Sequence, residues 1–266
     1  MHFVHPEIRR KKQMRILIIG CSNGLGLHHL IRDTFVKKKD KFICLPSRQK
    51  DDIWRDKSDI YYNLSSSGAG NRYITNRLME WINVNGNPDY VYLQYSGLNR
   101  IDLSCSKSTL IKDYVFQRQS EFGNWVHSGG MNGSWHTNGQ TEKMFNYLYD
   151  PEDQTNVVIQ NLFEINNAVN FLSAMHIPFN WNTYYDYKQP PNPIAESDGI
   201  IDATTEGLYD KLDKTKKIET SVVNHIASTN ISWLHEDQIH YEYEGGMDWL
   251  SCVKDQFIIK DLYGNR

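Results

Sequence analysis

Four apolar residues, Ile16 to Ile19, run straight into a glycine-rich turn, Gly20-Cys21-Ser22-Asn23-Gly24-Leu25-Gly26. A helix is expected to follow, from about Asn23 to Val36. A short continuous apolar run closed by glycine reads as a strand buried on both faces. A strand that turns directly into a helix puts the turn at the carboxyl edge of a sheet, where open α/β structures build their sites. The first N–H groups of that helix have no intrahelical partner, and together with the helix dipole they favour negative charge. Two chemistries use such a turn. Ser22 can serve as a nucleophile, or Gly20, Gly24 and Gly26 can let a dinucleotide pyrophosphate approach the backbone.

The same punctuation recurs. Phe42-Ile-Cys-Leu45 is a short apolar run closed by Pro46, followed by a charged loop to Lys57. Asp59 to Leu64 is a further strand-like run, ending in Ser65-Ser-Ser67-Gly68-Ala69-Gly70. A helix is expected over 71–84, with Ile74, Leu78, Trp81 and Ile82 at helical spacing, and Asn85-Gly86-Asn87-Pro88 breaks it. Tyr90 to Tyr95 is the next strand, and Ser96-Gly97-Leu98-Asn99-Arg100 is its turn. Strands alternating with helical patterns imply a mainly parallel sheet with helices on both faces, a three-layer α/β/α sandwich.

The pattern is irregular from about 101 to 153, and a long insertion without periodicity commonly covers a site. Within it, Trp125 and Trp135 are candidates for a wall that selects substrate. Helical character returns over 154–175, where Val158, Leu162, Ile165, Val169 and Leu172 form an apolar stripe. Pro178 introduces an extended run, 179–185. Residues 188–213 read as loop, and an amphipathic segment runs from about Gly245 to Leu262. Residues 1–13 read as an arm and 14–266 as a single domain.

Composition narrows the function classes. The net charge of −3 gives no global basic field for nucleic acid. The basic cluster of Arg9, Arg10, Lys11, Lys12 and Arg15 reads as a solvated arm. Aromatic residues make up 12% of the chain, with 16 Tyr and 7 Trp, which suits concave, partly wet surfaces. Cys21, Cys44, Cys105 and Cys252 are scattered, with neither a zinc-knuckle nor a disulfide pattern. The apolar run near the N-terminus is too short for a signal sequence or a membrane span. The expectation is a soluble protein made in the cytoplasm, acting there or as part of a virion or surface assembly, with no cofactor and no metal.

Four blocks can then be read together: Gly20-Cys21-Ser22, Asn63-x-x-x-Ser67-Gly68, Gly97-Leu98-Asn99 and Asp237-Gln238-Ile239-His240. Their order and placement resemble the SGNH (GDSL-type) hydrolase family of serine esterases and lipases. The resemblance implies a flavodoxin-like α/β/α fold and hydrolysis of a carboxylic ester, an O-acetyl group on a glycan or a small acyl ester. It implies Ser22 as nucleophile, His240 as base and Asp237 as the residue that orients it. The N–H groups of Ser22 and Gly68 and the side chain of Asn99 would form an oxyanion hole. The chain departs from the family pattern in three places. Cys21 stands before the serine where an acidic residue is usual, Arg100 follows Asn99 where Asp is common, and Tyr241 follows the histidine where Pro is frequent.

The chemistry stands beside the resemblance. A serine hydroxyl is a weak nucleophile and needs an adjacent base. An Asp three residues before a His can hold the imidazole Nδ1–H, which leaves Nε2 free to take the serine proton. Donors aimed at the developing oxyanion lower the barrier by roughly 3–4 kcal/mol each.

Two other readings remain open. Gly20-x-x-x-Gly24-x-Gly26 resembles the cofactor turn of short-chain dehydrogenases, and Tyr184 and Lys188 have the spacing of that family's catalytic pair. This would make the protein NAD(P)-dependent, but it leaves Asp237 and His240 without a role. The other reading is an SGNH-like shell used as a non-catalytic binding or structural subunit. A zincin-type metal site at His235-Glu236-x-x-x-His240 fails on spacing, because histidines five apart on a helix point about 140° away from each other.

Overall fold

A computed structural model describes residues 13–36, 43–45, 52–55, 59–105, 117–119, 122–128, 154–197, 199–236 and 240–264. Strand β1 (Met14–Gly20) lies at the centre of a six-stranded sheet. It pairs in parallel with β4 (Asp59–Asn63) on one side and β5 (Tyr90–Tyr95) on the other. Strand β9 (Phe179–Thr183) extends the parallel set beyond β5. On the opposite edge, β2 (Ile43–Leu45) and β3 (Asp52–Arg55) add in antiparallel fashion, giving the order β2-β3-β4-β1-β5-β9. Every residue of β5 is buried, as parallel strands covered on both faces require.

Helices cover both faces. On one, α1 (Leu27–Phe35) packs against α7 (Tyr243–Val253) and α8 (Ile259–Gly264). On the other, α2 (Asn71–Asn85) packs against α3 (Thr155–Ala174). Val158, Leu162, Ile165, Val169 and Leu172 of α3 are all buried, each burial contributing roughly 1.5–3 kcal/mol. Three shorter helices follow β9: α4 (Pro193–Ser197), α5 (Glu206–Asp210) and α6 (Val222–Thr229). The expected three-layer α/β/α sandwich with a mainly parallel sheet is the fold observed.

The structure departs from the sequence reading at three places. The charged stretch after Leu45, read as loop, contains β3, whose Ile53-Trp54 core is short but pairs with both β2 and β4. The stretch 101–153, read as irregular, contains a small antiparallel sheet of β6 (Asp102–Cys105), β7 (Gln117–Gln119) and β8 (Asn124–His127). Residues 188–213, read as loop, hold α4 and α5. The arm, apart from Gln13, lies outside the described residues, and so do Trp135 and Asp237. Arg15, grouped with the basic cluster, lies on β1, where its guanidinium binds the carbonyls of Asn85 and Asn87 and stacks near Trp81.

Candidate functional site

β1 stops at Gly20, and Cys21 leads into one tight 3-10 turn, Ser22–Gly24, before α1 begins at Leu27. The turn is closed by Gly24 N–H donating to Cys21 O at 2.9 Å and Leu25 N–H donating to Ser22 O at 3.2 Å. Cys21 is buried against the core, while Ser22 keeps partial access to solvent. Asn63, the last residue of β4, braces the turn from beneath. Its amide donates to the carbonyls of Gly24 at 2.9 Å and Leu25 at 2.7 Å, and lies 2.9 Å from His28 Nδ1.

The loop after β4 continues the ladder with β1. Leu64 N–H donates to Ile18 O at 2.8 Å and Ser66 N–H to Gly20 O at 3.0 Å. This carries Ser66 and Gly68 to the same sheet edge as Ser22. Gly68 has φ of +74°, a left-handed conformation that favours glycine. The turn after β5 is held from three sides. Ser96 N–H donates to Asn71 Oδ1 at 2.7 Å, Tyr187 donates to Ser96 O, and the Asn161 amide donates to Leu98 O at 2.8 Å and Arg100 O at 3.1 Å. Asn99 is fully buried in that turn. Arg100 reaches Ala69 O at 3.4 Å and faces the Tyr184 ring at 5.6 Å, so it links the two loops that carry Gly68 and Asn99.

The histidine arrives from the far end of the chain. Between α6 and α7, residues 233–236 and 240–242 lie antiparallel as the two arms of a hairpin. His235 N–H donates to His240 O at 2.9 Å, Glu242 N–H donates to Trp233 O at 2.8 Å, and Leu234 bridges Tyr241. Tyr241 then donates to Asn23 O at 2.9 Å, which docks the hairpin onto the serine turn. Burial raises the Tyr241 pKa, so its hydroxyl keeps its proton and remains a donor. At the foot of the hairpin, α7 approaches α1 closely because Gly246 has no Cβ. A methyl there would lie 2.8 Å from Leu30 and 2.9 Å from Tyr241. The result is a contact of 2.6 Å between His240 Nε2 and Ser22 Oγ, across 218 residues of sequence.

Of the residues singled out in the sequence, Ser22 and His240 therefore meet directly. Gly68 and Asn99 lie on neighbouring turns at the same edge. Asp237 falls outside the described residues. Trp125 is not a surface wall. It is 3% exposed and packs edge-on to Tyr73 at 5.7 Å, because its strand lies inward over α2. Gly20 and Gly24 of the first turn are accounted for by packing, whereas a Cβ on Gly26 would meet nothing within 4 Å. A Cβ on Gly24 would press into the Ser65 hydroxyl, and one on Gly20 would lie 3.1 Å from Gln94. The Tyr184 ring is fully buried, and Lys188 is engaged by Glu206 at 2.7 Å and Asp210 at 3.0 Å on the surface.

A second polar constellation was not anticipated. His127 Nδ1 lies 2.8 Å from Asp102 Oδ1, and His127 Nε2 lies 3.3 Å from Ser66 Oγ. Asp102 also accepts from Gly70 N–H at 2.9 Å and Tyr73 N–H at 2.8 Å, and so caps the start of α2. All three side chains are buried, so the array braces the loop that carries Gly68 and has no open face for a substrate. No local motif marks it, since its members are 61 and 25 residues apart. Among the described residues, the side chains that gather as a possible metal-holding set are His225, Asp248 and Cys252.

No family model matches the chain, and no curated protein matches it. Among solved structures, the chain is similar to a catalytic mutant of Axe2, an acetylxylan esterase from Geobacillus stearothermophilus. The identity is 10%, the TM-score is 0.49, and 93% of this chain and 96% of the other are covered. A carbohydrate esterase family 3 protein from Talaromyces cellulolyticus is similar at 12% identity and a TM-score of 0.38, covering 91% of this chain and 99% of the other. Such likenesses carry no weight for function, which rests on the chain's own residues.

Proposed function

We propose that this chain is a serine esterase of the SGNH type, cleaving a carboxylic ester through a covalent acyl-enzyme on Ser22. The observation that carries this reading is the 2.6 Å contact between Ser22 Oγ and His240 Nε2. A nucleophile within hydrogen-bond reach of a base is what such chemistry requires.

In this reading His240 takes the Ser22 proton as the hydroxyl attacks the acyl carbon. The N–H groups of Ser22 and Gly68 and the amide of Asn99 stabilise the oxyanion. His240 then protonates the departing alkoxide, and water, activated by the same imidazole, releases the acid. Asp237, three residues before the histidine, holds the imidazole in the productive tautomer. The substrate class is an O-acetyl group on a glycan or another small acyl ester. Burial favours Ser22 over Ser66 as the nucleophile, because Ser66 and His127 are enclosed.

The test is a fluorophosphonate probe read by mass spectrometry, run beside hydrolysis of p-nitrophenyl acetate and an acetylated xylo-oligosaccharide. The expected result is labelling of Ser22 that is lost in His240→Gln, with ester hydrolysis lost in parallel. A folded protein that is neither labelled nor active on any ester would overturn the proposal and favour a non-catalytic shell. Thermal stabilisation by NAD(P) in that protein would favour the dinucleotide reading.

A further inference from the structure

We propose that His225, Asp248 and Cys252 form a binding site for a divalent cation of the zinc class, clipping α6 to α7 at the base of the hairpin that carries His240. This proposal does not depend on the esterase reading. Asp248 and Cys252 are four residues apart on α7, so their side chains rise from the same helix face. His225 lies on α6 and faces them, with Nε2 2.7 Å from Asp248 Oδ2. The two helices come close because α7 presents Gly245 to α6. A Cβ there would lie 2.9 Å from Ile226, the residue next to His225.

One ligand atom from each residue can be chosen so that all three lie within 4.8 Å of one another. Imidazole nitrogen, carboxylate oxygen and thiolate sulfur are the donors zinc takes, at about 2.0–2.3 Å. In a tetrahedral site those bonds separate neighbouring ligand atoms by roughly 3.3–3.7 Å. Reaching that geometry means opening the His225–Asp248 contact by under about 1 Å and drawing Cys252 in by a similar amount, which side-chain torsions supply.

The site is open to solvent from one side, since Cys252 is exposed and the Asp248 side chain is 40% exposed, whereas that of His225 is 11% exposed. A cation can enter there, and water can take the fourth position. Binding exchanges the His225–Asp248 hydrogen bond for two metal bonds and displaces the Cys252 thiol proton to solvent. One carboxylate and one thiolate then neutralise the dication. Because α6 and α7 are joined by residues 230–242, the metal would tie together both ends of the segment that delivers His240 to Ser22.

The experiment titrates Co(II), then Zn(II), into the metal-free full-length chain in a phosphine reductant. Expected are a thiolate-to-cobalt charge-transfer band and tetrahedral d–d bands saturating at one equivalent. Cobalt binding to the metal-free chain should release about one proton, and zinc should displace the cobalt without further release and raise the melting temperature above that of the metal-free chain. Cys252→Ser should abolish the charge-transfer band and weaken zinc binding at least tenfold, with His225→Gln weakening it similarly. Neither substitution should change the metal-free melting temperature by more than a few degrees. In the unaltered chain, bound zinc should protect Cys252 from iodoacetamide. Absence of the charge-transfer band, unchanged affinity in Cys252→Ser, or alkylation of Cys252 unaffected by saturating zinc would each overturn the proposal.

Discussion

At the scale of the residue, the site depends on side chains that carry no chemistry themselves. Tyr241 stands where the resembling family often has proline, and its hydroxyl bonds Asn23 O in the serine turn. A proline would fix the backbone but supply no such tether. Tyr241→Phe keeps the ring and removes the tether, at a net stability cost of about 1 kcal/mol. The expected outcome is kcat lowered by about fivefold, the rate equivalent of that energy, with KM little changed. Steady-state kinetics on p-nitrophenyl acetate check it. Asn99→Ala, which removes a proposed oxyanion donor, should cost about 10²–10³ in kcat. Equal losses in the two variants would argue against separate roles. Ser22, Gly68, Asn99 and His240 stand out as candidates because each sits in a short local pattern of small residues and polar groups. The bracing roles of Asn63 and Tyr241 were not readable, because their partners lie 38 and 218 residues away and neither type implies its use.

At the scale of the element, α2 was legible from its spacing, but its cap was not. The residue preceding the helix is Gly70, which has no side chain to offer the free N–H groups. Asp102 supplies that function from β6 and is itself held by His127. An ionised carboxylate can accept all three contacts, whereas an amide turns two hydrogens toward donors. Asp102→Asn should therefore destabilise the fold by about 2–4 kcal/mol, the range for breaking a buried charge-assisted array. Urea unfolding checks this, and a lower midpoint with unchanged slope is the expected signature. A midpoint unchanged within error would show that the array does not brace α2. The strand β3 escaped the sequence reading for a related reason. Two apolar residues between Asp52 and Arg55 leave too little alternation to read, and the strand is specified by its neighbours. Trp54 stacks on His28 at 5.3 Å, and such a contact has no one-dimensional trace.

At the scale of the whole molecule, the parallel centre was readable because strands buried on both faces must be continuously apolar, as β1 and β5 largely are. The layers meet through the apolar core, but the polar contacts that also join them were not readable. His28 stands at that junction, on α1, touching Asn63 of β4 and facing Trp54 of β3. Burial, reinforced by the neighbouring His29, pushes its pKa down to about 3 from an ordinary 6.5. Between those two values the unfolded chain binds a proton at this position that the folded chain does not. Unfolding is then favoured by acid, and the contribution of His28 is complete above about pH 6.5 and lost as pH falls toward 3. The slope for one such group is at most about 1.4 kcal/mol per pH unit. Asp202, Asp210 and Asp213, whose pKa values are lowered, act mainly below pH 4. Glu164, whose carboxyl is raised by burial, is common to parent and variant and cancels in their difference, so that difference over about pH 4.5–6.5 reports the histidine. His28→Gln removes the titrating group while leaving an amide that can meet Asn63. The expected outcome is a variant less stable than the parent at pH 7, with a difference that shrinks steadily toward pH 4.5. Urea midpoints across that window measure it. A constant difference would mean that the layers are not joined through a neutral imidazole.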